Sequence, residues 1–195
     1  MISPAELSRK LIHLFNLVIP ICYFYFITDK NQMAAFVLVF AIIFIIIDFA
    51  RMRLELVKKI FNKLFNSMMR KHEISGRFTG ATWVLIIAVP VIYFLPKEIA
   101  ILSLVYMSVG DIAAAIVGLS FGKTKMGEKS LEGSIGCLTV CISAALLLNL
   151  VPLTISMSGA VMATVFEALP LDIDDNILIP VGAGTTMAIV SSFIV

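Results

Sequence analysis

Long apolar runs alternate with short polar loops along the whole chain. The runs lie near residues 11–27, 33–50, 79–95, 98–118, 133–150, 154–169 and 177–195. Each is about as long as a helix that crosses the hydrocarbon core of a bilayer. The segment 52–71 differs, because its apolar residues recur at helical spacing opposite lysines, which is typical of an amphipathic helix on a membrane surface. The pattern predicts an all-α polytopic integral membrane protein of about seven transmembrane helices plus one interfacial helix, with residues 1–195 as a single domain.

Composition agrees with this pattern, since 60% of the residues are hydrophobic and only 14% are charged. Such a chain cannot avoid exposing an apolar surface, which suits a lipid bilayer. The net charge of +2 points to no nucleic-acid partner. Cys22, Cys137 and Cys141 lie in predicted helices without histidine partners, and we interpret them as small packing residues.

The distribution of positive charge predicts the orientation in the membrane. All of the fifteen lysines and arginines except Lys30 and Lys97 fall in loops on one side of the predicted helices. By the positive-inside rule this side is cytoplasmic, so we expect a cytoplasmic N-terminus and an external C-terminus. The oligomeric state stays open at this stage, with a homodimer as one option.

Residues 110–134 interrupt the apolar pattern with a carboxylate, glycines and lysines. Asp111, Gly118 and Gly122 are spaced to lie on one face of a helix, with Asp111 near the end of the fourth predicted span. Lys123, Lys125, Lys129 and Ser130 follow in a short loop. Ammonium and backbone N–H groups can surround a polyanion there, while the carboxylate holds a divalent cation. The segment therefore predicts a phosphate site at the cytoplasmic boundary.

This segment has two other interpretations. A loop that obeys the positive-inside rule, beside glycines that allow close helix packing, explains the lysines equally well but explains Asp111 and Glu132 poorly. A nucleotide-binding P-loop is rejected, because the segment from Gly118 to Thr124 is one residue short of that motif and no strand precedes it.

Further polar residues lie at the same predicted boundary. Glu132 offers a second carboxylate, and Gly133 and Ser134 begin a helix whose free N–H groups suit phosphate. The remaining candidates are His13, Arg77 and the hard oxygen donors Asp174, Asp175 and Asn176, which suit Mg²⁺. For residues 172–176 a solvated turn that caps the last helix is the alternative. Asp48 lies beside Arg51 and Arg53, which predicts a local ion pair.

Five short patterns occur in order along the chain. They are Arg9-Lys10-x-x-His13, Gly80-Ala81-Thr82-Trp83, Asp111-x-x-Ala114-x-x-x-Gly118-x-x-x-Gly122, Lys129-Ser130-x-Glu132-Gly133-Ser134, and Glu167-Ala168-x-Pro170 with Asp174-Asp175-Asn176. Through them the chain resembles the CTP-dependent lipid kinases, a family that includes dolichol kinase, phytol kinase and the yeast-type diacylglycerol kinase. Phosphatidate cytidylyltransferase is a more distant relative. The linker between Gly122 and Lys129 is shorter than is usual in dolichol kinases.

The resemblance implies a kinase that transfers the γ-phosphate of CTP to the hydroxyl of a membrane-embedded isoprenoid alcohol, with Mg²⁺ as cofactor. Asp111, His13 and Lys129 would be the catalytic residues. Metal ligands would come from Asp111, Glu132, Asp174 and Asp175. The nucleotide would contact Arg77, Gly118, Gly122, Lys123, Lys125, Ser130, Glu132, Gly133, Ser134 and Asn176.

Two other functions remain open from the sequence. A phosphatidate cytidylyltransferase would use the same acidic and basic elements with CTP, although its members are usually longer. A cation transporter would also explain carboxylates within an apolar chain, but it would place them near the middle of the membrane rather than at one face.

Overall fold

The structure is a computed structural model that describes residue 10 and residues 13–65, 69, 71–74, 76–171 and 173–194. Within these ranges the regular structure consists of helices and one small hairpin, which confirms the all-α prediction. The elements are α1 (Val18–Tyr25), α2 (Lys30–Arg53), α3 (Glu55–Phe65), α4 (Lys71–Ile74), α5 (Gly80–Phe94), α6 (Lys97–Phe121), β1 (Lys125–Met126), β2 (Lys129–Ser130), α7 (Leu131–Leu148), α8 (Leu153–Ala168) and α9 (Asp175–Ile194).

Helices α2, α6, α7 and α9 are long and apolar enough to cross a membrane. The other three predicted spans correspond to shorter apolar helices, His13–Tyr25, Gly80–Phe94 and Leu153–Ala168. The structure therefore supports four membrane spans by length and composition, and the predicted number of seven is not confirmed.

Helix α6 forms the centre of the bundle, because α1, α5, α7, α8 and α9 all pack against it. Tyr106 on this helix is fully buried, and its hydroxyl donates to the carbonyl oxygen of Ser156, 2.9 Å away. Cys137 and Cys141 are buried against Gly110, where an added Cβ would lie 3.0 and 3.1 Å from the two sulfur atoms. The packing role predicted for these two cysteines is confirmed.

Helices α6 and α7 approach each other closely through two glycines. A Cβ on Gly133 would lie 2.7 Å from the carbonyl oxygen of Ala114 and 3.3 Å from the Cα of Gly118. Small residues at a helix interface permit this approach of two backbones. The contact brings the start of α7 against the last turns of α6, where the predicted site begins.

The loop predicted between these helices is a short β-hairpin. Lys125 pairs with Ser130 and Met126 pairs with Lys129 in an antiparallel register. The turn between them contains Gly127 with φ +67°, a conformation that glycine adopts without steric cost. The hairpin therefore gives Lys125 and Lys129 defined positions.

Helix α6 extends beyond its predicted end and reaches Phe121. Asp111 therefore lies about three turns before the end of the helix rather than near it. Gly122 follows the last helical residue, so the predicted shared helical face holds Asp111 and Gly118 only.

The predicted amphipathic helix is confirmed in shorter form as α3, and its place at a membrane surface stays a prediction. Its eleven residues include none that is buried, and its apolar and charged side chains lie on opposite faces. Residues 66–68 and 70 of the predicted segment 52–71 lie outside the described residues.

The helices run back and forth, so α2, α6 and α8 end where α5, α7 and α9 begin. This end of the bundle carries the predicted site. Lys30 and Lys97, the two cations predicted to be external, line a separate cavity together with the ends of α1 and α5. Among the described residues, the positive charges that line the two cavities are thus divided between the two ends as the sequence predicts, and the side of the membrane that each end faces stays a prediction.

Candidate active site

A cavity of about 1280 Å³ opens at the end of the bundle where α7 and α9 begin. Its lining contains polar residues and apolar, partly aromatic residues, which are called here the polar wall and the apolar wall. The polar residues are Lys10, Arg77, Asp111, Lys125, Glu128, Lys129, Ser130, Glu167, Asp174 and Asp175. The apolar residues include Phe49, Met52, Phe78, Trp83, Leu119, Leu171, Ile173 and Ile177.

Asp111 is the centre of the first polar cluster. Its Oδ2 atom lies 2.7 Å from Lys10 Nζ and 3.2 Å from His13 Nδ1. Lys10 Nζ also donates to the backbone carbonyl of Asp111 at 3.3 Å. All three side chains are about nine-tenths buried, so water screens these charges weakly. The pattern Lys10-x-x-His13 therefore meets the carboxylate of α6, and Arg9 lies outside the described residues.

Lys129 is the centre of a second cluster in the lining of the cavity. Its ammonium lies 3.1 and 3.2 Å from the two carboxylate oxygens of Asp175, and it donates to the backbone carbonyl of Glu167. Glu167 Oε1 lies 3.9 Å from the same nitrogen. Ser134 Oγ is 3.2 Å from Glu167 Oε2. The hairpin thus joins the end of α8 to the start of α9.

The start of α7 differs from the prediction. Ser130 is the N-cap, and its hydroxyl accepts from the backbone N–H of Gly133 at 3.2 Å. The expectation that Gly133 presents a free N–H to phosphate is therefore wrong, since capping satisfies this donor. Ser130 and Gly133 nevertheless line the cavity.

The acidic segment before α9 divides into two roles. Asp174 Oδ1 accepts from the backbone N–H of Asn176 at 3.0 Å and from its side-chain amide at 2.7 Å. This geometry agrees with the alternative interpretation, a turn that caps the last helix. Asp174 nevertheless lines the cavity with Asp175. Asn176 is buried behind them, and Asp172 lies outside the described residues.

Five predicted nucleotide contacts in the described part of the chain lie outside the cavity lining, namely Gly122, Lys123, Glu132, Ser134 and Asn176. The Glu132 carboxylate accepts from the backbone N–H of Thr124 at 3.0 and 3.2 Å, which closes the base of the hairpin. Lys123 is exposed beside it. Gly118, Arg77 and Lys125 line the cavity, and their contact with phosphate stays a prediction.

Lys10 and Glu167 were not assigned to the site from the sequence, although both belong to the patterns quoted above. In the sequence Lys10 is one of the positive charges that predict the orientation, and Glu167 has a place in a pattern but no predicted role. Their positions in or beside apolar helices could have indicated a role in the site. An ionisable residue at such a position is costly unless it has a partner or a function.

The carboxylates of the cavity are of the kind that suits Mg²⁺, and binding of this ion stays a prediction. Among the described residues no group of three or more His, Cys, Asp and Glu side chains is arranged to hold a metal on its own. Mg²⁺ commonly uses only one or two protein carboxylates and completes its shell with water and phosphate oxygens. Asp111, Glu167 and Asp175 all face the cavity and can supply such carboxylates.

Two known proteins are similar to this chain over most of its length. An uncharacterized protein of Rickettsia prowazekii is 25% identical over 185 residues, which cover 90% of this chain and 89% of that protein. The CTP-dependent diacylglycerol kinase 1 of Saccharomyces cerevisiae is 26% identical over 226 residues, which cover 98% of this chain and 76% of that protein. No model of a protein family matches the chain, and no solved structure matches it.

The yeast similarity supports a distant relationship to a CTP-dependent lipid kinase. The apolar helices and this relationship together indicate an enzyme that is associated with a membrane. The cavity geometry agrees with that class, because one boundary region combines carboxylates, ammonium groups and an apolar wall.

Proposed function

We propose that this protein is a Mg²⁺-dependent kinase that transfers the γ-phosphate of CTP to the hydroxyl of an isoprenoid lipid alcohol. The observation that carries the proposal is that one cavity contains two carboxylate–cation clusters, around Asp111 and around Lys129, next to an apolar wall. Phosphoryl transfer depends on positioning and charge neutralisation more than on covalent chemistry, so these are the groups that it requires.

The polar wall would hold the phosphates of CTP. Lys129, Lys125 and Arg77 would contact the phosphate oxygens, since lysine and arginine are the usual phosphate partners. Asp175 and Glu167 would hold Mg²⁺ together with those oxygens, and the ion would neutralise charge that develops on the phosphates. Binding of the nucleotide would replace part of the contact between Lys129 and Asp175.

The Asp111 cluster would bind the hydroxyl of the lipid that accepts the phosphate. A lipid hydroxyl must lose its proton as it attacks, and a general base must lie within hydrogen-bond reach of that proton. Asp111 and His13 form a carboxylate–imidazole pair at 3.2 Å that can accept it. Lys10 balances the charge of Asp111 in this buried position. The tail of the alcohol would lie along the apolar wall at Phe49, Phe78 and Trp83.

Diacylglycerol is the second candidate acceptor, because the yeast relative is named for it. It would place its free hydroxyl at Asp111 in the same way, and its two chains would need more of the apolar wall. A phosphatidate cytidylyltransferase remains the other enzyme class to separate from a kinase, since both would bind CTP and Mg²⁺ beside lysines.

Product analysis tests these alternatives directly. Purified protein is incubated with Mg²⁺, with CTP labelled at the γ- or the α-phosphate, and in turn with polyprenols, phytol, geranylgeraniol, diacylglycerol and phosphatidate. We expect γ-label in a lipid monophosphate with release of CDP, and the highest kcat/KM with an isoprenoid alcohol. Transfer of α-label into lipid with release of pyrophosphate would refute the kinase. A preference for diacylglycerol would retain the kinase and change its acceptor.

A further inference from the structure

Asp48 and Arg51 form a buried ion pair at the end of α2. Arg51 Nε and Nη2 donate to Asp48 Oδ1 at 3.1 and 3.0 Å, which confirms the local ion pair expected from the sequence. Only 4% of the Arg51 side chain and 2% of the Asp48 side chain are exposed. Burial of two charges is costly, and attraction within the pair often does not repay that cost. The partners of their remaining hydrogen-bonding groups therefore indicate what the buried pair does in the structure.

Those remaining groups bind one segment, the residues between α4 and the first turn of α5. Arg51 Nη1 donates to the carbonyl of Glu73 and Nη2 donates to the carbonyl of Arg77, each at 2.8 Å. Asp48 Oδ2 accepts from the backbone N–H of Thr79 at 2.8 Å and from the hydroxyl of Thr82 at 2.7 Å. The pair thus holds the carbonyls of Glu73 and Arg77 and the N-terminus of α5.

The same segment forms one wall of the cavity. Arg77, Phe78 and Trp83 all line it, and Phe78 makes edge-to-face contacts with Phe49 and Trp83 at ring-centroid distances of 5.5 and 5.7 Å. The exposed Arg77 side chain extends from a backbone whose carbonyl Arg51 holds. Arg51 therefore holds the backbone from which the Arg77 side chain extends.

A further contact connects the segment to the acidic part of the site. Glu73 accepts from the backbone N–H of Gly80 at 2.7 Å, and a Cβ on Gly80 would lie 3.2 Å from the amide nitrogen of Asn176. Movement of the segment would thus alter the packing behind Asp175. Arg51 also lies over the ring of Phe61 at 5.1 Å, which links it to the amphipathic helix α3.

We propose that Asp48 and Arg51 are positioning residues that hold the 76–83 segment so that Arg77 binds the nucleotide phosphates and Phe78 and Trp83 form the wall of the cavity. The inference rests on the proposed function for the role of Arg77, while the positioning of the segment can be measured without any turnover. Neither residue touches the cavity, so both act through the segment.

Kinetics test the role in substrate binding. Arg51→Lys keeps the charge but cannot span two carbonyls and a carboxylate. We expect about a tenfold rise in the KM for CTP, the equivalent of about 1.4 kcal/mol, with a much smaller change in kcat. Arg77→Gln should raise KM similarly, and the double variant should be no worse than Arg77→Gln alone, because both changes remove one interaction. Additive effects, or a fall in kcat at constant KM, would refute positioning through Arg77.

The single tryptophan tests the geometry independently of activity, because Trp83 lies within the segment. Arg51→Lys, and the milder Thr82→Val, which removes one donor to Asp48, should increase quenching of Trp83 by acrylamide. Arg53→Lys, at an exposed position on the same helix, is the matched control and should leave quenching and kinetics unchanged. Unchanged Trp83 quenching in both Arg51→Lys and Thr82→Val would overturn the positioning role. If quenching of Trp83 increases in these variants but the protein does not use CTP, only the proposed function is refuted.

Discussion

Replacement of Asp111 by asparagine tests both the chemistry and the electrostatics of the site. The amide keeps the shape of the side chain but removes the charge that faces Lys10 Nζ at 2.7 Å and His13 Nδ1 at 3.2 Å. Turnover should fall below detection if Asp111 acts as base or metal ligand, because an amide accepts no proton and is a weak ligand for Mg²⁺. The protein should also lose stability, since the buried Lys10 ammonium is left without its carboxylate.

The size of the stability loss follows from burial. Lys10 is only 6% exposed, and breaking a buried ion pair by removing one partner costs about 3–5 kcal/mol. For a domain of this length each kcal/mol corresponds to about 2–4 °C in Tm, so even the lower bound predicts a decrease of roughly 6–12 °C. The measurement is thermal unfolding of the purified protein in detergent, followed by circular dichroism, alongside the CTP assay.

A second variant separates the two effects. Asp111→Asn combined with Lys10→Met removes both charges, so most of the lost stability should return while activity stays absent. Asp29→Asn is the matched control, because Asp29 caps α2 at the opposite end of the bundle and asparagine caps a helix equally well. Near-normal Mg²⁺-dependent turnover by Asp111→Asn would refute the catalytic assignment. An unchanged melting temperature would refute the energetic role of the pair with Lys10.

Other variants test the remaining parts of the site. Lys129→Met should raise the KM for CTP by about tenfold or more, since it removes a charge-assisted phosphate contact, and a normal KM in steady-state assays would exclude that contact. Gly133→Ala should lower the free energy of unfolding by about 1–3 kcal/mol, because its Cβ would lie 2.7 Å from the carbonyl oxygen of Ala114. An unaltered Tm would show that the two helices move apart without cost. Chelation of divalent cations should abolish turnover and added Mg²⁺ should restore it, whereas turnover that survives chelation would contradict the metal assignment. In a cysteine-free background, a cysteine at Thr124 should react only with a reagent that enters the cytoplasm and one at Lys97 should react from outside, and the reverse labelling would overturn the predicted orientation.

Much of the site was accessible from the order of residue types along the chain. Asp111, Gly118, Lys129 and Asp175 all line the cavity, although up to 64 residues separate them in sequence, because ionisable groups and glycines stand out in an apolar chain. Glu132 and Lys123 satisfy the same sequence criteria but lie outside the cavity lining. Their positions depend on the hairpin, because the Glu132 carboxylate accepts hydrogen bonds from the backbone N–H of Thr124 at its base.

The sequence by itself determined the helical character of the chain, the division of positive charge between its two ends and the kinds of groups present at each boundary. These properties follow from local composition, because an apolar run of bilayer length forms a helix and polar groups collect where it ends. The tertiary structure alone decided which groups meet. The spans are apolar on every side, so hydrophobic periodicity does not indicate which face of a helix is inward. Close packing decides instead: the contact between Gly118 and Gly133 sets the register of α6 against α7, and the pairing of Lys10 with Asp111 joins residues 101 positions apart.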